Sequence, residues 1–316
     1  MTTPGTIDPT PTPFSVPPLL RDRPEAERQQ WARWVLGSHS DQFLPEMLAA
    51  VEALDRHDPI AYGTPTSNPG SRPDDLLVIT SDRGRHCFIW DMPLSCKVVL
   101  FDFTGTGFEP GANPHGWDEF SFPCRGMGQI LETIWRHFRL PPEHHYLGVL
   151  CDDVMLRSSD VQVLLGMARL HDLIAVQPSV SLNHELSNEY GFLRQRPSVS
   201  MHRVPLVEVM APFLRRDLLD LSMPFNAGTH SAYGLDRFVF PLVADHLKNW
   251  RFASVDLTPM THIRRGRTIA QRYTNGLLSK EEELLIRYRL MLAMGFDVDV
   301  PMYTALESAA QGSFLA

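Results

Sequence analysis

The sequence is poor in the features that mark several classes of protein. Its four cysteines show no CxxC spacing, which argues against a zinc site and favours buried free thiols over disulfides. No apolar run approaches the ~20 residues that a membrane span requires. The Pro- and Thr-rich amino terminus has neither a basic start nor an apolar stretch, so it does not predict a secretory signal. A cytoplasmic location is the simplest expectation.

An excess of basic residues is also absent. The formal net charge is -8, whereas binding to the phosphate backbone of nucleic acid requires clustered lysine and arginine side chains. A nucleic-acid partner is therefore not expected. The 316 residues are 43% hydrophobic and 21% charged, which is typical of a globular protein with a sizeable core.

The composition divides the chain into four parts. Residues 1–22 are too rich in proline to bury a core, and they predict a disordered tail. Residues 23–75 predict a helical extension, with apolar residues at a helical spacing, followed by a Pro/Gly/Ser-rich linker. We expect this extension to pack on the main domain or across a homo-oligomer. Residues 76–267 form the predicted main domain, and 268–316 form a helical segment.

Strand and helix patterns alternate through the main domain. Apolar runs predict strands at 76–80, 97–102, 146–151, 173–178 and 252–257, and a further apolar run covers 207–213. Helical periodicity appears at 128–139, at 158–171, from 215, at 235–246 and, beyond the domain, at 280–294. This alternation predicts an α/β fold with a mostly parallel sheet flanked by helices.

Two adjacent carboxylates, Asp152 and Asp153, follow the apolar run at 146–151. In a parallel sheet this position lies at the carboxyl edge, where ligands bind. Neighbouring acids repel each other unless a cation or a donor network compensates them, which makes the pair a candidate divalent-metal site. The alternative is that one Asp caps the following helix while the other is solvated.

A glycine pair after the second strand resembles part of a dinucleotide-binding loop. Gly105 and Gly107 lack the third glycine of that fingerprint, and a proline follows at Pro110. The fingerprint also requires an immediate helix, which the long Gly/Asn/Pro loop excludes. A dinucleotide site is therefore not expected here.

His262 follows a strand candidate and precedes Arg264 and Arg265. Imidazole and carboxylate groups can hold a metal ion, and guanidinium groups can meet phosphate oxygens, so this segment suits a metal-bound diphosphate. The alternative is a solvated basic loop. Asp236 is also open to two interpretations: an acidic charge at the start of a helix, or a general base.

Six segments occur in an order that resembles an uncharacterised plant and bacterial family, often labelled "lysine-ketoglutarate reductase trans-splicing related". That family is itself similar to the GT-A-type nucleotide-sugar glycosyltransferases. The resemblance covers roughly 76–267, and its most specific segments are VEVMAPF at 207–213 and YGLD at 233–236. The others are VVLFD at 98–102, YLGVLCDD at 146–153, IAVQP at 174–178 and VDLTPMTH at 255–262.

The resemblance implies a GT-A-like fold and a divalent cation, Mn or Mg. Asp153 matches the last acid of the Asp-x-Asp motif, which binds the metal, and His262 matches a second metal ligand. Cys151 stands where the motif has its first acid, so Asp152 is the acid left to contact the nucleotide.

The same resemblance implies two catalytic acids and a nucleotide site. Asp236 matches the catalytic base near the acceptor, and Glu208 matches an acid near the sugar or the acceptor. The other residues that it places in nucleotide-sugar binding are Thr80, Ser81, Asp82, Asp102, Arg125, Arg264 and Arg265.

These roles predict a metal-dependent glycosyltransferase that moves a sugar from a nucleotide-diphosphate donor to an acceptor hydroxyl. With Asp236 as base, the simplest mechanism is a single displacement with inversion. Two alternatives stay open. One is a metal-dependent phosphohydrolase that uses Asp152, Asp153 and several of the thirteen histidines. The other is a non-catalytic, nucleotide-sugar-binding descendant of the fold, which the replacement of an acid by Cys151 favours.

Overall fold

The structure, a computed structural model, describes residues 17–37, 48–49, 51–53, 56, 70–138, 145–182, 191–263 and 272–312. Its strands are β1 Leu76–Ser81, β2 Lys97–Asp102, β3 Asp118–Ser121, β4 Tyr146–Leu150, β5 Val154–Met155, β6 Ala175–Val180, β7 Met201–Arg203, β8 Phe213–Arg215 and β9 Phe252–His262. Its helices are α1 Glu25–Leu36, α2 Met127–His137, α3 Ser158–Leu170, α4 Arg216–Asn226, α5 Phe240–His246, α6 Ser279–Ala293 and α7 Val300–Gly312. A π-helical turn at Leu235–Val239 leads directly into α5.

The nine strands form one mixed sheet in the order β3-β2-β1-β4-β8-β6-β9-β5, with β7 also paired to β9. β1 to β4, β6 and β9 run in one direction, and β5, β7 and β8 run in the other. β1 and β4 are buried at every residue, as expected for central strands of an α/β sheet. The predicted α/β fold with a mostly parallel sheet flanked by helices is confirmed.

The apolar run at 207–213 becomes a strand only at its end. β8 begins at Phe213 and lies antiparallel between β4 and β6. Phe213 faces Gly148 across the β4–β8 pair, and a Cβ atom at Gly148 would lie 2.5 Å from the Phe213 ring. A residue without a side chain is thus required where the ring crosses β4.

Three strands were not predicted, and one prediction was too short. β3, β5 and β7 have between two and four residues each, which is too short for a clear alternation of apolar and polar residues. β9 extends to His262 rather than ending near residue 257, and its far end pairs with β5.

Helix α1 packs within the chain. The Trp31 ring lies 5.7 Å from Trp250, and the Trp34 ring lies 5.6 Å from Phe238, measured between centroids. Leu19, which the composition placed in the proline-rich tail, is only 1% exposed and donates its N–H to the Ala293 carbonyl. Of the residues that the structure describes, Leu19 and Leu20 therefore belong to the hydrophobic core together with the main domain.

Two negative expectations about local structure are confirmed. Residues 103–117, all of which the structure describes, contain no helix after the glycine pair. All four cysteines are free thiols, with Cys96 and Cys124 buried. Within the part of the chain that the structure describes, no helix is long and apolar enough to cross a bilayer.

The amino edge of the sheet is held by a buried ion pair. Asp75, directly before β1, pairs with the Arg169 guanidinium through both carboxylate oxygens. The same carboxylate accepts the Arg72 N–H at 2.8 Å and the Tyr146 N–H at 3.1 Å. A buried pair with these additional donors orients β1, β4 and α3 relative to one another.

We expect Arg169→Met to lower the free energy of unfolding by ~3 to 5 kcal/mol, because it leaves the Asp75 charge buried without its partner. Urea denaturation of the two purified proteins measures the difference. Lys97→Met is the control, since the Lys97–Asp118 pair is solvent-exposed and such pairs contribute less than ~1 kcal/mol. Equal losses for the two variants would contradict this account of Asp75.

Candidate functional site at the carboxyl edge of the sheet

Eight of the twelve predicted site residues lie at one edge of the sheet. β1, β2, β4, β6 and β9 all end there, and β8 begins there because it runs the opposite way. Residues that follow the parallel strands, or precede β8, are therefore neighbours at this edge. The predicted residues at or just beyond it are Thr80, Ser81, Asp82, Asp102, Asp152, Asp153, Glu208 and His262.

The acidic pair lies in a tight turn between β4 and β5. Cys151 continues the antiparallel pairing of β4, since its N–H donates to the Met210 carbonyl at 3.0 Å. The Asp152 carbonyl then accepts the Cys87 N–H at 2.8 Å. Burial raises the pKa of the Cys151 thiol well above its ordinary value, so Cys151 stays a neutral thiol and does not stand in for the missing acid.

The helix-cap interpretation of the acidic pair is wrong. α3 begins only at Ser158, and its first turn is capped by other acids. Asp160 accepts the Arg157 N–H at 3.0 Å, and Asp91 accepts the Ser159 N–H at 2.9 Å. No local sequence signal marks this role of Asp91, because Asp91 lies 68 residues before Ser159 in the chain.

Asp153 and His262 form a pair in the structure. β5 aligns Val154 with His262, which places the two side chains together, and His262 Nε2 lies 3.0 Å from Asp153 Oδ1. The hydrogen bond with Asp153 raises the pKa of His262. A carboxylate oxygen is a suitable ligand for both Mn²⁺ and Mg²⁺, whereas an imidazole nitrogen is accepted more readily by Mn²⁺ than by Mg²⁺. These donors fit a metal ion that competes with the proton on His262.

Glu208 lies near this pair and is held by hydrogen bonds of its N–H group and its carboxylate. Its N–H donates to Gln177 Oε1, and its Oε2 accepts the Met210 N–H, both at 2.6 Å. Burial raises the pKa of Glu208 to about 7, and the nearby Asp236 charge adds to the effect. Glu208 therefore exchanges its proton near neutral pH, as a group in proton transfer must.

Asp236 lies in the first turn of the π-helical segment. Gly234 precedes this segment with φ at 94°, a left-handed conformation that glycine adopts without strain. Burial raises the pKa of Asp236 to about 6, against the opposing charge of Arg237. π-helical turns occur often at functional sites, and the Asp236 charge reaches Glu208, whose pKa it helps to raise.

Asp102 has a different environment at the same edge. Its carboxylate accepts five hydrogen bonds, from the N–H groups of Arg83, Thr104 and Gly107 and from the hydroxyls of Thr104 and Ser121. Although burial opposes ionisation, these donors lower the pKa of Asp102. The carboxylate therefore shapes the loop after β2.

Thr80, Ser81 and Asp82 end β1 beside that loop. Thr80 and Ser81 are buried, and Ser81 Oγ donates to the Phe101 carbonyl and accepts the Gly84 N–H, both at 3.1 Å. Asp82 is half-buried and forms a tight turn with Arg85. Ser81 and Asp82 thus fix the turn after β1, and Cys87 further along the same loop contacts the Asp152 carbonyl.

The predicted basic residues divide into two groups. Arg125 is exposed, directly before α2, and its N–H donates to Gln129 Oε1 at 2.8 Å. Arg264 and Arg265 lie outside the described residues.

His230, which the sequence did not single out, is buried next to Arg125. Burial and the Arg125 charge lower the pKa of His230 to about 4, so it is neutral at physiological pH.

A second group of possible metal ligands lies at the opposite edge. Donor atoms of Asp74, Asp75 and His145 lie within 4.8 Å of one another. Arg169 already occupies both oxygens of Asp75, and a guanidinium in this position repels a metal cation. The chemistry of the donors therefore favours the Asp153–His262 pair.

Comparison of the sequence with known proteins gives no relative: no protein-family model matches, and no curated protein matches. The resemblance to the trans-splicing-related family thus has no support from sequence comparison. Among solved structures, the chain is similar to GalNAc-T7 with UDP, GalNAc and Mn²⁺ (TM-score 0.43, 11% identity, 77% of this chain and 56% of that one). It is also similar to S. aureus TarS 1-349 with UDP-GlcNAc (TM-score 0.42, 11% identity, 76% and 71%).

A third match is the inositol-1-phosphate CTP transferase from T. maritima (TM-score 0.33, 11% identity, 73% of this chain and 100% of that one). This chain spans little more than half the length of the GalNAc-T7 chain. At TM-scores this low the likeness carries no argument about activity, so the argument for function rests on the residues themselves.

We expect Glu208→Gln to stabilise the protein at neutral and higher pH. The pKa of Glu208 is about 7 in the folded protein against an ordinary value of 4.5. The folded state thus binds this proton more tightly than the unfolded chain does. The stability of wild type therefore falls as the pH rises from the ordinary pKa of a glutamate to the pKa of Glu208 in the folded protein. Glutamine does not ionise, so we expect the variant to exceed wild type in free energy of unfolding by up to ~3 kcal/mol above pH ~8 and by almost nothing below pH ~4.

Urea denaturation across this pH range measures the effect. Glu119→Gln is the matched control, since Glu119 is exposed and its replacement should change stability little at any pH. A Glu208→Gln variant that is less stable than wild type at high pH would show that the carboxylate is stabilised by a cation in the folded protein.

Proposed function

We propose that the protein is a metal-dependent glycosyltransferase that moves a sugar from a nucleotide-diphosphate donor to an acceptor hydroxyl. The observation that carries this proposal is the meeting of four residues at the carboxyl edge: the Asp153–His262 pair at 3.0 Å and the desolvated acids Glu208 and Asp236. One pair suits a cation, and the two acids suit proton transfer. Sugar transfer to a hydroxyl can use both, because positive charge stabilises the leaving diphosphate and a base takes the acceptor proton.

Asp236 is the proposed base. Its carboxylate takes the proton of the acceptor hydroxyl while the acceptor oxygen forms a bond to the anomeric carbon of the sugar. The bond from that carbon to the diphosphate oxygen breaks, and the nucleoside diphosphate leaves with the electron pair. This single displacement inverts the anomeric centre. A base with a pKa of about 6 is ionised at neutral pH and still basic enough to assist.

Glu208 is the proposed hydrogen-bond partner of a substrate hydroxyl. Because its pKa is about 7, it carries a proton in a large share of molecules at neutral pH and can donate or accept. Burial is the main cause of the raised pKa of both acids; their surroundings differ, because the Asp236 charge adds to the rise in Glu208 and the Arg237 charge opposes the rise in Asp236. Such a difference lets neighbouring carboxyl groups take separate roles.

Asp153 and His262 would hold the metal ion, which supplies positive charge to the diphosphate when bound. The phosphate oxygens would meet Arg125 and, from the segment outside the described residues, Arg264 and Arg265. Asp152 would contact the nucleoside portion. Thr80, Ser81, Asp82 and Asp102 would contribute through the loops that they shape, since Asp102 already accepts five hydrogen bonds from within the chain.

Addition of Mn²⁺ should raise the melting temperature of the wild-type protein, because a ligand that binds only the folded state adds ~2.7 kcal/mol at a hundredfold excess over its Kd. We expect Asp153→Asn and His262→Ala to lose this shift. The shift should also grow with pH, since the ion displaces a proton from His262, whose pKa is raised by Asp153. Differential scanning calorimetry provides the measurement.

Asp74→Asn is the control for the opposite edge. It should keep the full Mn²⁺ shift, because Asp74 belongs to the cluster that Arg169 occupies. If Asp74→Asn abolished the shift and Asp153→Asn preserved it, the metal would belong at the amino edge and the proposed site would be incorrect.

Calorimetric titration with a panel of nucleotide sugars, with and without Mn²⁺, tests the proposed function directly. We expect at least one donor to bind wild type, and Asp236→Asn to bind it with similar affinity while transfer falls by ~10²- to 10⁴-fold. The wild-type rate should rise with pH through about 6, following the pKa of Asp236. Full transfer by Asp236→Asn would remove Asp236 from the mechanism.

Product analysis separates the alternatives. A phosphohydrolase releases sugar or phosphate without an acceptor, whereas a glycosyltransferase attaches the sugar to an added acceptor. A non-catalytic descendant binds a donor and forms no product. Failure of every donor to bind would reject the nucleotide-sugar proposal.

A further inference from the structure

The acid-bearing segment 230–238 is fastened to helix α6, which lies outside the family resemblance. Glu282 of α6 is fully buried. One of its carboxylate oxygens accepts the His230 N–H at 2.9 Å, and the other accepts the Ser231 N–H at 2.8 Å. Two successive backbone donors on one carboxylate leave the start of the segment little freedom to rotate.

The middle and the end of the segment also pack against α6. A Cβ atom at Gly234 would lie 3.4 Å from side-chain atoms of both Glu283 and Ile286, so the turn before Asp236 runs close along the helix. Further on, the Arg287 guanidinium lies 4.5 Å from the centroid of the Phe238 ring. α6 thus contacts the segment on both sides of Asp236.

Arg287 joins this arrangement to the amino-terminal helix. Its guanidinium pairs with Glu283 of its own helix and donates to the carbonyls of Val35 at 3.0 Å and Gly37 at 3.1 Å. These carbonyls belong to the last turn of α1 and its cap. A planar guanidinium can make all these contacts at once, whereas an ammonium group cannot.

Burying the Glu282 carboxylate has a cost. Burial raises its pKa, even though four hydrogen-bond contributions, including that of Asn275, oppose the shift. If the contact served only to hold the helix in place, a neutral side chain could make it at a smaller cost in stability than a buried carboxylate. Besides the Asn275 side chain, the carboxylate contacts the backbone that leads to Asp236, which points to a role in placing that backbone.

We propose that Glu282 and Arg287 are positioning residues that fix the direction of the Asp236 carboxylate, so that helix α6 is part of the catalytic unit. This inference rests on the proposed function. Neither residue touches the reacting atoms, and both act through segment 230–238. Displacing a reactive group by ~1 Å can cost 10²-fold in rate.

The test compares Glu282→Gln, Arg287→Lys and the control Glu281→Gln. Glutamine at 282 turns one acceptor oxygen into an NH₂ group facing a backbone N–H. At 281 the side chain caps its own helix by accepting the Leu278 N–H, a role that glutamine fills as well as glutamate. We expect kcat for sugar transfer to fall ~10- to 100-fold in the first two variants, with KM for the donor changing less than ~3-fold, and Glu281→Gln to match wild type.

A double-mutant cycle distinguishes positioning from a general loss of structure. If Glu282 acts through Asp236, Glu282→Gln should cause no further loss in the Asp236→Asn background. Hydrogen exchange should also be faster at the amides of residues 230–238 in Glu282→Gln, while the Mn²⁺ shift of the melting temperature is kept.

Each outcome decides the matter. If wild type is active and Glu282→Gln is equally active, the positioning inference is rejected while the proposed function stands. The same holds if Glu282→Gln lowers the rate by the same factor in the wild-type and the Asp236→Asn backgrounds. A wild type that neither binds nor turns over any nucleotide sugar rejects the proposed function and this inference with it.

Discussion

The direction of strand β8 is the constraint on which the site depends. Because β8 lies antiparallel between two strands of the opposite sense, the residues that precede it lie at the same edge as the residues that follow β4. Glu208 is thereby placed beside the turn at 151–153, although more than fifty residues separate them in the chain. A parallel β8 would carry Glu208 to the opposite edge. The small size of Gly148 permits this pairing, since the Phe213 ring occupies the space of a side chain there.

Two acids at the same edge show how local donors decide the chemistry of a carboxyl group. Asp102 and Asp236 are both buried, yet the pKa of Asp102 is lowered and that of Asp236 is raised to about 6. Asp102 accepts five hydrogen bonds, which outweigh the cost of burial. For Asp236 burial prevails over the neighbouring Arg237 charge. One carboxylate is therefore fixed as an anion within the fold, and the other remains available for proton exchange.

The sequence predicts the parts of this arrangement that depend on short stretches of chain. The apolar runs of β1, β2, β4 and β6 are continuous, and the rule for parallel sheets places the acids that follow them at one edge. Contacts between distant segments were not predictable in this way. The two-residue strand β5 and the length of β9 come from pairing across the chain, and two donors to Asp102, the Arg83 N–H and the Ser121 hydroxyl, lie 19 residues away. Nothing in the local pattern of α6 marks Glu282 as buried, because its neighbours in sequence are also charged.

The ion pair between Asp75 and Arg169 secures the amino edge of the sheet, while the exchangeable acids occupy the carboxyl edge. Structural cohesion and reactivity thus belong to opposite ends of the same strands. During evolution the loops at one end can lengthen, shorten or change their side chains without loosening the anchor at the other. A lineage descended from this chain could change the groups that the loops after β1 and β2 present at the carboxyl edge, and keep the same scaffold throughout.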